Sequence, residues 1–163
     1  MTDRSGIICA GNWIVDLIHD LDRWPNESEL VRIGTQARGV GGGPANVITA
    51  LAKLETGLPL YPMGAIGEDE YGAFILKECR HLGLPTSGLI SKTDVATAHT
   101  HVMSVAGQSR TFFYQGGAND TLNINDFPEG TFKDTSARIF YLGYLTLLRD
   151  LDQILDDNST NAA

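Results

Sequence analysis

The 163-residue sequence predicts an α/β fold built on a mostly parallel sheet. Three observations carry that prediction. The run Ile7-Ile8-Cys9-Ala10-Gly11 is apolar without interruption, as a strand covered on both faces must be. A glycine-rich turn, Gly39-Val40-Gly41-Gly42-Gly43-Pro44-Ala45-Asn46, leads straight into Val47, Ile48, Leu51, Ala52 and Leu54, apolar positions at helical spacing. The same order of strand, turn and helix returns at Gly64-Ala65-Ile66-Gly67-Glu68-Asp69-Glu70-Tyr71-Gly72.

Taken in order, the first strand delivers Asn12 and Asp16 just past its carboxyl end, the rim where ligands sit in open α/β sheets. Pro44 suits the first turn of the first helix, where a missing N–H costs nothing. Asp69 is a good N-cap for the second helix, whose buried face is Tyr71, Phe74, Ile75, Cys79 and Leu82 and whose end is Gly83. Outside these units, residues 29–36, 98–106 and 111–115 are the segments most like strands, and Gly107-Gln108-Ser109-Arg110 is a hairpin turn between the last two. Residues 139–142 read as another central strand with Gly143 and Tyr144 at its carboxyl end, which makes Tyr144 a candidate contact in the binding crevice.

The glycine turn fits neither familiar phosphate motif. A dinucleotide fingerprint needs a third small residue where this chain has Pro44 or Asn46, and an acid about 20 residues on, an offset that falls near Pro59 to Pro62. A Walker loop needs Gly-Lys-Ser/Thr, which the sequence lacks. Consecutive glycines accept positive φ and bring backbone N–H groups close to a ligand. The turn therefore suits an uncharged polyhydroxylated ligand, with Asn46 as a fixed donor and acceptor one turn into the helix.

These segments resemble the PfkB carbohydrate kinases, the ribokinase-like sugar and nucleoside kinases. The resemblance rests on residues 11–16, on Gly41-Gly42-Gly43-Pro44-Ala45-Asn46 and on Gly67-Glu68-Asp69-Glu70-Tyr71-Gly72. Gly107-Gln108-Ser109-Arg110-Thr111 and Gly117-Ala118-Asn119-Asp120-Thr121-Leu122 extend it, in family order, over nearly the whole chain. It implies a ribokinase-like αβα sandwich with a small β-sheet lid, and ATP- and Mg-dependent phosphorylation of a hydroxyl on a sugar, nucleoside or related small alcohol. By position, Asp16 would accept hydrogen bonds from substrate hydroxyls, Asn12 would support it, Gly41 and Gly42 would let the sugar approach the backbone, and Asn46 would bond another hydroxyl. A carboxylate suits two neighbouring hydroxyls because it only accepts, and charge-assisted bonds are the stronger ones. Phe112 and Tyr114 lie on one face of their strand, available for lid packing or sugar stacking, with Phe113 on the other.

One family element is missing. The Gly-Ala-Gly-Asp segment that supplies the general base and anion hole occurs nowhere in the sequence. Residues 1–163 are therefore expected to be the N-terminal part of one ribokinase-like domain, inactive alone, with lid segments at about 13–38 and 96–116 and the nucleotide-binding half absent. The last residues, with Ser159 or Thr160 as cap, look like a new helix beginning. The alternative is a non-catalytic sugar- or nucleoside-binding relative.

Twenty acidic against twelve basic residues, a net charge of −8, argue against a nucleic-acid partner. No apolar run is long enough to cross a bilayer and no secretory signal is visible, so the cytoplasm and no membrane partner are expected. Exposed lid edges suggest a homodimer through the lid. Cys9 and Cys79 read as reduced packing residues. His99 and His101 would project from one face of a strand without an evident third ligand, so no metal site is expected and His99 is assigned to the substrate side. Arg110 could reach an anionic substrate group, although hairpin arginines are usually solvated. Asn119 could hold the lid return to the body, and Asp150, Asp152, Asp156 and Asp157 read as the solvated side of a terminal helix.

Overall fold

The computed structural model describes residues 4–127 and 129–153. In chain order they form β1 (Gly6–Gly11), β2 (Ile14–Leu21), β3 (Ile33–Gly41), α1 (Gly43–Lys53), β4 (Leu60–Gly67), α2 (Glu70–His81) and β5 (Leu89–Lys92). Then come β6 (His99–Val105), β7 (Thr111–Gln115), a short α3 (Glu129–Lys133) and β8 (Ala137–Gly143), with 3₁₀ turns at 117–121, 124–126 and 145–147. Two four-stranded sheets result. The larger runs β5-β4-β1-β8, all parallel. The smaller runs β3-β2-β6-β7, antiparallel except where β2 meets β6.

Successive residues of β1 point to opposite faces of the large sheet, and both faces are buried, which is why the strand has no polar alternation. Cys9 packs with Ile48 of α1, Ile75 and Cys79 of α2, and Ile66 and Leu89 of the neighbouring strands. Ile8 and Ala10 pack on the other side with Met63, Ala65, Leu122, Phe127, Leu148 and Leu151. The αβα layering is thus unequal: two full helices cover one face, whereas 3₁₀ turns and α3 supply most of the other. Burial pushes both thiols up to about 11, so Cys9 and Cys79 remain protonated, inert core residues.

Both long helices start where expected. Pro44 lies in the first turn of α1, whose N-cap is Gly42. Leu54, expected in the apolar stripe, is instead the C-cap and 72% exposed. Asp69 caps α2 by accepting from Gly72 N–H at 2.8 Å, and it also receives the Thr97 hydroxyl at 2.6 Å and the Thr97 amide at 2.7 Å. Burial alone would raise its pKa, but these bonds outweigh it and hold the carboxyl below its ordinary value. Asp69→Ala removes a cap and the anchor of the segment entering β6. A loss of about 1–2 kcal/mol is expected, read as a lower urea midpoint.

Residues 14–21, with Asp16 third in the strand, form β2, which β3 and β6 hydrogen-bond on both sides. Three expectations are corrected. The strand expected at 29–36 lies at Ile33–Gly41, since the antiparallel register that pairs Ile14 with Gly41 and Leu21 with Ile33 draws the glycines into the ladder. β8 is an edge strand among the described residues, pairing only with β1, and Ile139 and Phe140 are 52% and 43% exposed. Asp152 is not on a solvated helix face: residues 149–151 form a turn, and its Oδ2 accepts from Leu148 N–H at 2.9 Å. Asp156, Asp157 and the cap expected at Ser159 or Thr160 lie outside the described residues.

Candidate functional site

The chain crosses between the two sheets at Gly11–Ile14, and Trp13 pins the crossing. Its ring is buried, its Nε1–H donates to the Met63 carbonyl at 2.9 Å, and its backbone exchanges hydrogen bonds with the Asn119 side chain, both at 3.2 Å. Asn119 also donates to the Tyr114 hydroxyl at 3.4 Å. One buried amide thus ties the start of β2 to the segment returning from β7, as expected of Asn119. Beside this junction a cavity of about 560 Å³ opens between the carboxyl rim of the large sheet and one face of the small one.

The rim contributes Asn12, Gly42, Asn46 and Tyr144; the small sheet contributes Ile14, Asp16, Thr100, Phe112 and Tyr114. Asn12 follows β1 directly and is fully buried. Its Oδ1 accepts from Gly43 N–H at 3.2 Å, whereas its Nδ2 has no partner. A first-turn amide expected to face a ligand is therefore occupied, and the unpaired donor is the Asn12 side chain. A buried unpaired donor costs about 1–3 kcal/mol, which an incoming oxygen acceptor would recover.

Asp16 lies in the middle of β2, half-buried. Burial raises its carboxyl pKa, and the positive charge of Arg110 partly offsets that rise. The carboxylate packs where a Gly41 side chain would stand, so glycine at 41 makes room for it. Gly41 itself lies behind Asp16 rather than on the cavity wall. Gly42 is held at φ 96°, a left-handed conformation, and any Cβ there would collide with the Asn12 carbonyl. Tyr144, also left-handed at φ 57°, lays its ring against Gly43 and forms the exposed wall of the cavity.

Alternation along the small sheet decides the remaining candidates. Phe112 and Tyr114 share the cavity face. His99 does not reach it, because the neighbouring Thr100 holds that face and a strand turns adjacent side chains apart. His99 packs instead on Tyr71 of α2, and its Nδ1–H donates to the Thr97 carbonyl, 3.3 Å away. His101 and His19 continue this outer row, their rings stacked at 5.3 Å. With Gln36 donating to His19 Nδ1, the His19 proton sits on Nε2 and is given to His101 Nδ1 at 3.1 Å. Burial, then the neighbouring imidazoles, lower the pKa of His101. Reading the sequence missed His19 in this row. It also left Ile14, Thr100 and Leu147 of the cavity wall unnamed, and Arg110 was noted without a place; the pairing of β2 with β6 is the signal that would have located them.

No group of three or more His, Cys, Asp or Glu among the described residues is arranged to hold a metal ion. A second concavity, about 390 Å³ near Glu55, Leu58 and Leu84, sits at the amino ends of the strands, away from the rim that parallel sheets use.

Residues 4–153 match the family described as "pfkB family carbohydrate kinase". The chain is 33% identical over 135 residues to a 5-dehydro-2-deoxygluconokinase of Listeria innocua, covering 81% of this chain and 40% of the relative. It is 30% identical over 115 residues to a ribokinase of Bacillus subtilis, covering 69% and 38%. Among solved structures it is similar to ribokinase from Giardia lamblia, TM-score 0.75 at 22% identity, covering 85% of this chain and 44% of that one. It is also similar to Arabidopsis thaliana ribokinase complexed with ribose and ATP, TM-score 0.70 at 25% identity, covering 85% and 45%. The chain spans about 40% of the length of the curated relatives it matches.

Proposed function

Because the chain belongs to the pfkB family of carbohydrate kinases, we propose that its cavity binds the acceptor sugar for an ATP-dependent phosphorylation of a hydroxyl group. The observation that supports this most is the meeting of the Asp16 carboxylate and the unpartnered Asn12 Nδ2 at one rim. An acceptor-only anion beside a free donor matches adjacent hydroxyls, each of which donates and accepts. Asn46 adds a second amide, Phe112, Tyr114 and Tyr144 offer ring faces to the sugar, and Gly42 keeps the floor low enough for it. Held this way, the acceptor is oriented before the phosphoryl donor arrives, which is the part of phosphoryl transfer that depends on positioning. The small sheet acts as a lid that excludes water.

The described residues do not fit a nucleotide–magnesium site: they contain no metal-ligating cluster, and the sequence has no Gly-Ala-Gly-Asp segment. The chemistry derived from this chain is therefore confined to the acceptor. ATP and magnesium are the expected donor and cofactor of the kinase, with their ligands outside these residues. The exposed Phe112 and Phe113 and the unpaired edge of β7 suit pairing of two lids in a homodimer. No helix among the described residues is long and apolar enough to cross a membrane.

Calorimetric titration with hexoses, pentoses and nucleosides tests the acceptor site. One-to-one binding of at least one of them is expected, and ATP–magnesium turnover of that ligand separates kinase from binder. Failure of every polyhydroxyl compound to bind would reject the site.

A further inference from the structure

We propose that Arg110 makes one end of the cavity cationic and that the ligand it selects carries a carboxylate, a sugar acid rather than a neutral sugar. This rests on the acceptor-site reading above. Among the described residues, Arg110 is the only lysine or arginine on the cavity wall. It makes no hydrogen bond or ion pair with any described residue, so its N–H fork is not spent on the fold. Its guanidinium carbon lies 5.6 Å from the centroid of the Phe112 ring, and that ring lines the same cavity. The ring holds the guanidinium against the wall while leaving the fork free. The charge is also felt by Asp16, which lines the same cavity.

The charge order then sets the ligand. A cavity containing Asp16 alone would repel an anion, and a chain of net charge −8 offers no long-range attraction to one. Asp16 is in register with Thr100 and Thr100 with Tyr114, so Arg110, before the start of β7, lies further along the sheet than the carboxylate, and the cavity presents a carboxylate acceptor for hydroxyls and, apart from it, a bidentate cation. A guanidinium fork matches a carboxylate with two parallel N–H···O bonds, whereas a hydroxymethyl group can take up only one of them. A ligand with hydroxyls at one end and a carboxylate at the other satisfies both ends; a neutral polyol leaves the fork to water.

The test compares ligands that differ only in that group. The protein, without nucleotide, is titrated with gluconate against glucitol and with glucuronate against glucose. At least tenfold tighter binding of the acid in one pair is expected, weakening with added salt. Arg110→Gln, at an exposed hairpin position, should bring the ratio to about one by weakening the acid. Equal affinities in the unmodified protein, or a preference that survives Arg110→Gln, would overturn the proposal. If neutral ligands bind and Asp16→Ala abolishes their binding while no acid is preferred, the Arg110 inference alone has failed. If no ligand of either kind binds, the acceptor site has failed with it. A variant that weakens ATP binding but shows no change between acid and neutral sugar would assign the guanidinium to the phosphoryl donor and likewise reject the proposal.

Discussion

Asp16→Ala is expected to weaken sugar binding about a hundredfold, equivalent to roughly 2.7 kcal/mol. The magnitude follows from losing charge-assisted hydrogen bonds worth about 1.5–3 kcal/mol each inside a partly desolvated cavity. Little of the loss should come from unfolding, because no described residue uses the Asp16 carboxylate as a hydrogen-bond partner and burial already disfavours its charge. Asp16→Asn therefore separates the effects: its melting temperature should match or exceed that of the parent, while sugar affinity still falls at least tenfold. Binding should also fade with acid at a higher pH than an exposed aspartate would give, since the carboxyl pKa is raised and the protonated form can no longer accept from two hydroxyls. Calorimetric titration across pH and a thermal melt together check the prediction. Unchanged affinity in Asp16→Ala would remove the sugar contact from this residue.

Gly42→Ala should be among the most damaging single-methyl additions in the chain. Position 42 has φ 96°, which costs an L-residue about 1–2 kcal/mol, and the new Cβ would also run into the Asn12 carbonyl. Relief requires moving Asn12, whose side chain holds Gly43 N–H, or tilting α1 at its first turn. A combined loss of about 3 kcal/mol or more is expected, roughly 6–12 °C in Tm for a chain of this size, with sugar affinity falling alongside. Gly39→Ala serves as the control. Nothing stands within 4 Å of a Cβ there, so stability should be nearly unchanged. Equal melting temperatures for the two variants would contradict the conformational role of position 42.

Local chemistry explains which elements could be read from the chain. β1 and α2 were legible because uninterrupted apolar residues and an Asp cap with 3.6-residue periodicity have few other uses. β2 was not. Its apolar residues at 14, 15, 17, 18 and 21 fall at helical spacing, and only pairing with β3 and β6 makes them a strand. The glycines at 39 and 41 looked like loop and proved to be strand, because they lie where the ladder ends against Asp16. In the site, the rim residues Asn12, Asn46 and Tyr144 were accessible from sequence since each follows a strand or opens a helix. His99 was misplaced by a single residue of pleat phase, which moved the cavity-facing role to Thr100. The place of Arg110 on the cavity wall could not be read from the chain alone, since it reaches the same cavity as Asp16 only through the pairing of the small sheet's strands.

The small sheet takes its strands from distant stretches of the chain, with Val15 beside His99 and Leu21 beside Val105. Neither hairpin of that sheet can recruit the other until everything between them has been brought into place, so the closure entropy falls early and the reward late. Such topology raises contact order and slows refolding. The large sheet adds a wider separation still, because β1 pairs with β8, so neither sheet can close from local contacts alone.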